Sequence, residues 1–250
     1  MDCSKDVRLD AEGALFYFSY LEWDSVFFAR RCFCLNCDMS VLKPAAEIKK
    51  QLIERLGGSF ISAKIDTSCD KCLLDFMQEA GFRYIGTEVV LKYCGSPGRV
   101  SDITIEKLMR NENLPYEALG ASFSFTRFHS DPRISEGQAD ALWTAYIRNY
   151  KLSPSHHMLI ARYKGEIAGA VLICEDMNHA VAYLYFVAVL EEYRGKGIGS
   201  ALVRHAARMF ATSDLMTGTQ IKNVPAMNFY IKNGFSSVHA TRTVLHRWSN

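Results

Sequence analysis

Tyr183-Leu184-Tyr185-Phe186-Val187-Ala188-Val189, followed after Tyr193 by Arg194-Gly195-Lys196-Gly197-Ile198-Gly199, is the stretch that decides the fold. The first segment is rich in aromatic and β-branched residues and reads as a strand. The second is a glycine-rich turn. Ile198, Leu202, Ala206, Met209 and Phe210 then lie on one face of a helix. Closely spaced glycines let the backbone turn sharply and leave its N–H groups open to an anion. The helix start adds unsatisfied donors and the positive end of a dipole. Together these predict a phosphate or pyrophosphate site.

The pattern excludes two common phosphate readers. Gly195, Gly197 and Gly199 are spaced G-x-G-x-G, where a dinucleotide fingerprint needs G-x-G-x-x-G. The G-x-x-x-x-G-K-[ST] of a P-loop is absent as well. Downstream, Asn223 is placed to cap a short helix that tolerates Pro225 in its first turn, and Gly234 sits at its C-cap. Asn223, Ala226 and Tyr230 fall on one face of that helix, a small residue between two polar ones.

The strand, the R-G-x-G-I-G turn and Asn223-x-x-Ala226-x-x-x-Tyr230-x-x-x-Gly234-Phe235, in this order, resemble the GNAT superfamily of acetyl-CoA-dependent N-acetyltransferases. The resemblance covers roughly residue 103 to the C-terminus. It implies an α/β GNAT fold with a mixed, mostly antiparallel sheet flanked by helices, here joined to a smaller N-terminal α/β lobe. It also implies acetyl-CoA as co-substrate. Val187, Ala188 and Val189 would bind the pantetheine arm. Arg194 and Gly195 would bind the cofactor, Lys196, Gly197, Ile198, Gly199 and Ser200 would hold its pyrophosphate, and Asn223, Ala226 and Tyr230 would complete the cofactor site. Tyr230 would act as the general acid toward the departing thiolate. Glu191 departs from the proline often found before the turn's arginine.

Residues 1–96 read as the N-terminal lobe, contributing to the acceptor site, and 102–250 as the acetyltransferase domain. Strands are expected at 16–20, 27–35, 60–65 and 82–93, with helices at 43–56 and 70–80. Gly95-Ser96-Pro97-Gly98 marks a linker. In the second domain a helix is expected over 106–117, interrupted at Pro115, then a loop, a helix at 135–150, and a hairpin of 158–163 with 167–174. The chain should end in two strands, 235–240 and 241–248.

Two polar-aromatic patches stand out. Trp23-Asp24-Ser25-x-Phe27-Phe28 lies near the front, and Ser124-x-x-Arg127-Phe128-His129-x-Asp131 precedes a helix. Such a loop suits binding: Arg127 for an acidic group, an aromatic ring for stacking, His129 or Asp131 for a hydroxyl or amine. A plain helix connection with a buried phenylalanine fits the second patch equally well, and a turn before buried aromatics fits the first. With the motifs behind them, the patches resemble the dTDP-fucosamine acetyltransferases. Those enzymes acetylate the 4-amino group of dTDP-4-amino-4,6-dideoxy-D-galactose in lipopolysaccharide or other surface-polysaccharide biosynthesis. This implies Trp23, Asp24, Phe27, Arg127, Phe128, His129 and Asp131 as substrate-binding residues. The general base stays open among His129, Asp131 and water. So do the nucleotide, the sugar, the amine position and homodimer formation. A GNAT acting on a polyamine, an aminoglycoside or a protein amino group is the alternative. A non-catalytic acyl-CoA-binding or metal-sensing protein is the reading from another class.

Composition narrows the classes. A hydrophobic content of 49% with 22% charged residues is that of a globular chain. The net charge of +2 gives no footprint for nucleic acid. No apolar run approaches the ~20 residues of a membrane helix, and the first residues lack a signal peptide's pattern; a cytoplasmic protein that binds no membrane is expected. Cys32, Cys34 and Cys37, with Cys69 and Cys72, have spacings that zinc or iron–sulfur sites use. Strand alternation and a helix start explain the same spacings with buried thiols, so no metal is expected.

Overall fold

The structure, a computed structural model, describes residues 6–11, 14–37, 46–69, 71–96, 103–108, 113–150 and 152–249. These form two compact units. One comprises residues 1–88 and 241–250, the other 89–240. The division falls inside a strand, ahead of the expected linker, of which Pro97 and Gly98 lie outside the described residues. The last ten residues group with the first unit.

In the first unit β1 (Val7–Ala11) and β2 (Ala14–Tyr20) form a hairpin, and β3 (Cys32–Cys37) pairs antiparallel with β2. Helix α2 (Ala46–Leu56) crosses over to β4 (Phe60–Asp66), which runs parallel to β3. Then come α3 (Lys71–Glu79) and β5 (Arg83–Tyr93). Ile48, Leu52 and Leu56, one stripe of α2, meet Phe16, Phe18, Phe33 and Ile61 in the core. Lys43–Ala45 and Asp70, expected in helices α2 and α3, lie outside the described residues.

The expected strand at 27–35 is corrected. Glu22–Phe27 is a helix, α1, and the strand begins only at Cys32. Ser25 Oγ donates to the Leu21 carbonyl at 2.7 Å and accepts the Cys32 N–H at 2.8 Å, tying the helix to the strand that follows. Trp23 and Phe27 stack at 5.8 Å, the i, i+4 contact of a helix.

The second unit begins with the end of β5, followed by β6 (Thr104–Lys107), α4 (Tyr116–Gly120) and α5 (Glu136–Arg148). The expected helix at 106–117 is corrected too. Glu106 and Lys107 pair with β7 (His156–Tyr163), and α4 starts after Pro115, whose ring suits a helix start and not an interior. Ser135 caps α5 in a reciprocal capping box with Gln138. β8 (Glu166–Asp176), β9 (Val181–Val189), α6 (Ile198–Met209), β10 (Asp214–Gln220) and α7 (Val224–Lys232) complete the unit with the first part of β11 (Phe235–Trp248). Its strand order is β5-β10-β9-β8-β7-β6. One face carries a core with α6 and α7 residues, the other a core with α4 and α5 residues.

The two expected final strands are one, β11. Nothing between Ala240 and Thr241 breaks it, and residues 242–248 pair antiparallel with β4 in the first unit. There the buried Arg247 donates Nε to the Ala80 carbonyl and Nη1 to the Leu56 carbonyl, satisfying the ends of α3 and α2. In both units a strand, a helix and a parallel strand follow one another: β3-α2-β4 and β9-α6-β10. Only the second has glycines at the helix start.

Candidate active site

The site is built on a fork between two parallel strands. β9 and β10 pair from Val181 and Asp214 up to the rung of Leu184 with Thr217. Beyond that rung no pairing joins them, although β9 runs on to Val189 and β10 to Gln220. On its other edge β9 stays paired with β8 through Val189. Residues 185–189 therefore expose one row of backbone donors and acceptors to the fork. Unpaired strand groups of this kind bind extended ligands.

A β-bulge shapes the same segment. Leu172 pairs with Phe186 and Ile173 with Leu184, so Tyr185 is one residue extra on β9. Past the bulge, Val187 and Val189 pack toward the α6 core, while Phe186 and Ala188 face the α5 core.

The glycine turn lies past the end of β9. Glu191–Tyr193 form a single 3-10 turn, Arg194 is extended, and Gly195 and Gly197 have φ of 77° and 79°. A Cβ built at either glycine meets nothing within 4 Å. Gly197 is the N-cap of α6 and makes no side-chain cap, so the first amides of the helix have no capping side chain. Free amide donors at a helix start suit a pyrophosphate. Gly199 is packed differently: a Cβ there would lie 3.1 Å from the Phe229 ring, which holds α6 against α7. Lys196 turns back from the turn, donating Nζ to the Glu192 carbonyl at 2.6 Å beside the rings of Tyr163 and Tyr193.

Tyr230 stands at the apex. Asn223 accepts from the Ala226 N–H at 3.2 Å and starts α7, which places Tyr230 two turns further on. The Tyr230 ring is 7% exposed and packs on Phe229 and Phe235. Its hydroxyl is hydrogen-bonded to Thr217, the last paired residue of β10. Thr217 Oγ1 donates to the Leu184 carbonyl at 3.1 Å. Burial raises the Tyr230 pKa and keeps the phenol protonated. Thr217, Leu184 and Tyr185 escaped the sequence reading; a buried threonine between Met216 and Gly218 was the available signal.

The loop of residues 121–135 is anchored on the opposite face. Phe123 stacks on Trp143 at 5.1 Å and meets Phe186 at 4.4 Å. Within the loop, His129 Nδ1 lies 2.7 Å from Thr126 Oγ1 and Nε2 lies 3.0 Å from Asp140 Oδ1. Both ring nitrogens are engaged, and the side chain is buried. Asp131 is 2% exposed and accepts from the Arg133 N–H at 3.0 Å. Phe128 is 3% exposed beneath the Arg127 guanidinium, 4.5 Å from its ring centre. Arg127 Nε is buried with no hydrogen-bond partner among the described residues. The structure thus gathers Arg127, Phe128, His129 and Asp131 in one loop. Trp23, Asp24 and Phe27 share helix α1 of the first unit.

Of the cysteines, Cys32 is buried and its thiol is pushed up to about 12, chiefly by that burial. No group of three His, Cys, Asp or Glu side chains gathers as a metal site among the described residues. No helix among them is long and apolar enough to cross a membrane.

Comparison with known proteins agrees with this geometry. Residues 121–235 match the model of the Acetyltransferase (GNAT) family. The 5-NmdU N-acetyltransferase of Pseudomonas phage PaMx11 is 31% identical over 31% of this chain and 55% of its own length. The spore coat polysaccharide biosynthesis protein SpsD of Bacillus subtilis is 26% identical over 46% of this chain and 40% of its own. The matches therefore span about half the length of these relatives. Among solved structures, a conserved protein of unknown function from Staphylococcus epidermidis superposes with a TM-score of 0.64 at 16% identity, covering 98% of this chain and 95% of that one. A GCN5-related N-acetyltransferase from Sphaerobacter thermophilus gives 0.60 at 14%, covering 94% and 76%. A tandem GNAT protein from the clavulanic acid pathway gives 0.59 at 13%, covering 96% and 81%. The chain has the GNAT fold, and its residues 121–235 match the model of the GNAT acetyltransferase family.

Proposed function

We propose that the protein transfers the acetyl group of acetyl-CoA directly to the amino group of a nucleotide-activated amino sugar, with dTDP-4-amino-4,6-dideoxy-D-galactose as the first candidate. The observation that carries the reading is the fork: an unpaired edge at 185–189, a glycine cradle past the end of the same strand, and a protonated tyrosine at the apex. The names of the two relatives, an N-acetyltransferase and a polysaccharide biosynthesis protein, support the acceptor class.

Acetyl-CoA supplies the thioester; the neutral amine attacks its carbonyl carbon, the C–N bond forms and the C–S bond breaks. The chain's own groups do the rest. Amides of residues 195–200 hold the pyrophosphate. The free edge at Val187, Ala188 and Val189 pairs with the pantetheine arm, and an amide there polarises the thioester oxygen. Tyr230 gives its proton to the sulfur of the leaving thiolate. It is reprotonated by the proton that the new amide nitrogen sheds through water. Asn223 keeps α7 in place. Arg127 takes a phosphate of the acceptor, and the loop of His129 and Asp131 shapes the acceptor side. Holding both substrates in attack geometry supplies much of the rate.

The test is mass spectrometry of products after incubation with acetyl-CoA and a panel of TDP- and UDP-linked 3-amino and 4-amino sugars, polyamines, aminoglycosides and peptides. A gain of one acetyl group on a nucleotide sugar alone is the expected result. Acetylation of another amine, or of none while acetyl-CoA binds, would remove the acceptor assignment and leave the fold and the cofactor site.

A further inference from the structure

The nucleotide-sugar reading requires a surface for the base, and the loop aromatic that the sequence offers is covered. Phe128 is buried under Arg127. We infer that the tyrosine step of β9, Tyr183 with Tyr185, is the stacking platform for the planar ring of the acceptor, its nucleobase; this rests on the acceptor class proposed above.

The bulge creates the step. In a regular strand residues 184 and 186 share a face. Here Leu184 packs with α6 residues and Phe186 with α5 residues, because Tyr185 is the extra residue between them. Tyr183, opposite to Leu184, is on the α5 face, and the Tyr185 ring lies 4.8 Å from it at 49°. Phe186, the next residue on the strand, meets Trp143 and Phe123. Tyr185 itself is 51% exposed. Tyr185 is also the first residue past the last rung of the fork. A ring stacked there lies beside the point where the thioester edge begins.

The surroundings suit a neutral ring. Cys174 is paired across from Tyr183, and the Tyr150 hydroxyl donates to the Ile173 carbonyl at 2.8 Å. Burial raises the pKa of both side chains, so each is uncharged at neutral pH. Tyrosine offers a π-face to any base at a cost of two side-chain torsions.

The experiment compares wild type, Tyr185→Leu and Tyr185→Phe in steady-state kinetics with the nucleotide sugar. Binding of TDP, UDP and ribose 5-phosphate by saturation-transfer NMR accompanies it, and acetyl-CoA affinity controls for folding. Stacking of one base is worth about 1–3 kcal/mol, or roughly 5- to 150-fold. Tyr185→Leu should raise KM at least about 5-fold, leave kcat and acetyl-CoA affinity within about 2-fold, and lose the base signals of TDP and UDP. Tyr185→Phe should keep them. An unchanged KM in Tyr185→Leu, with wild type still acetylating the nucleotide sugar, overturns the platform alone. Wild type that acetylates no nucleotide sugar overturns the acceptor class, and the platform with it.

Discussion

Thr217 Oγ1 donates a hydrogen bond of 3.1 Å to the Leu184 carbonyl on the last rung where β9 and β10 still pair. Thr217 is also the side-chain hydrogen-bond partner of the Tyr230 hydroxyl. One buried side chain thus touches both the last rung of the fork and the tyrosine at its apex. Replacing it with valine keeps the shape and removes both bonds. Two buried polar groups lose their partner, at about 1–3 kcal/mol for each group left unsatisfied. Thr217→Val should lower the urea midpoint with an unchanged slope and reduce kcat, whereas Thr217→Ser should keep most of both. Wild-type turnover in a folded Thr217→Val protein would mean that the apex plays no part in the reaction.

Tyr230→Phe separates binding from chemistry. The ring and its contacts with Phe229 and Phe235 remain, so the core is kept. Only the proton is lost. General acid catalysis contributes about 10²- to 10⁴-fold, so turnover should drop by at least about 10² while acetyl-CoA affinity stays within a few-fold. Stopped-flow turnover and calorimetric titration of acetyl-CoA measure the two separately. An equal loss in both would make Tyr230 a binding residue and no acid.

Gly195 and Gly197 are the positions where glycine is required by conformation. Both sit in the left-handed region, which costs other residues about 1–2 kcal/mol. The space above them is open, so an added methyl group meets the ligand's phosphates and not the protein. Gly197→Ala should therefore weaken acetyl-CoA binding more than it lowers the thermal midpoint. Gly199→Ala tests the opposite case. Its methyl would press on the Phe229 ring and should disturb the α6–α7 contact first. If both variants lose stability and cofactor affinity in the same proportion, the cradle is only a structural turn.

These sites were unequally legible in the sequence. The glycine turn, the α6 stripe and the Asn223 cap are local patterns, and each reads directly because its physics lies within a few residues. Helix α1 was hidden because Val26-Phe27-Phe28 looks like the start of a strand. The i, i+4 stacking of Trp23 on Phe27 and the Ser25 bond to Leu21 decide the matter, and both depend on folded geometry. The fork has no local signature. It arises because pairing stops at Thr217, which only the register reveals. The bulge at Tyr185 is of the same kind, since one extra residue is visible only against Leu172 and Ile173.

His157 predicts how stability changes with pH. It is buried on β7 against the Phe210 ring, and neither ring nitrogen has a hydrogen-bond partner among the described residues. Glu175 Oε2 is 3.5 Å from Nε2, close enough for charge attraction but without hydrogen-bond geometry. Burial comes first and Lys107 second in lowering the His157 pKa below its ordinary 6.5, and Glu175 only partly opposes them. The imidazole is therefore neutral in the folded state and takes up a proton more readily when unfolded. Its contribution is fully present above about pH 6.5 and is lost as pH falls through and below that value. His205, lowered by burial and Arg208, acts in the same direction. The thermal midpoint of wild type should fall between pH 7.5 and pH 5.5, values chosen about one unit either side of that ordinary pKa. His157→Leu should fall less, and His157→Leu combined with His205→Gln less still. Equal losses in wild type and His157→Leu would show that His157 titrates alike in both states, and the loss would then belong to the carboxylates.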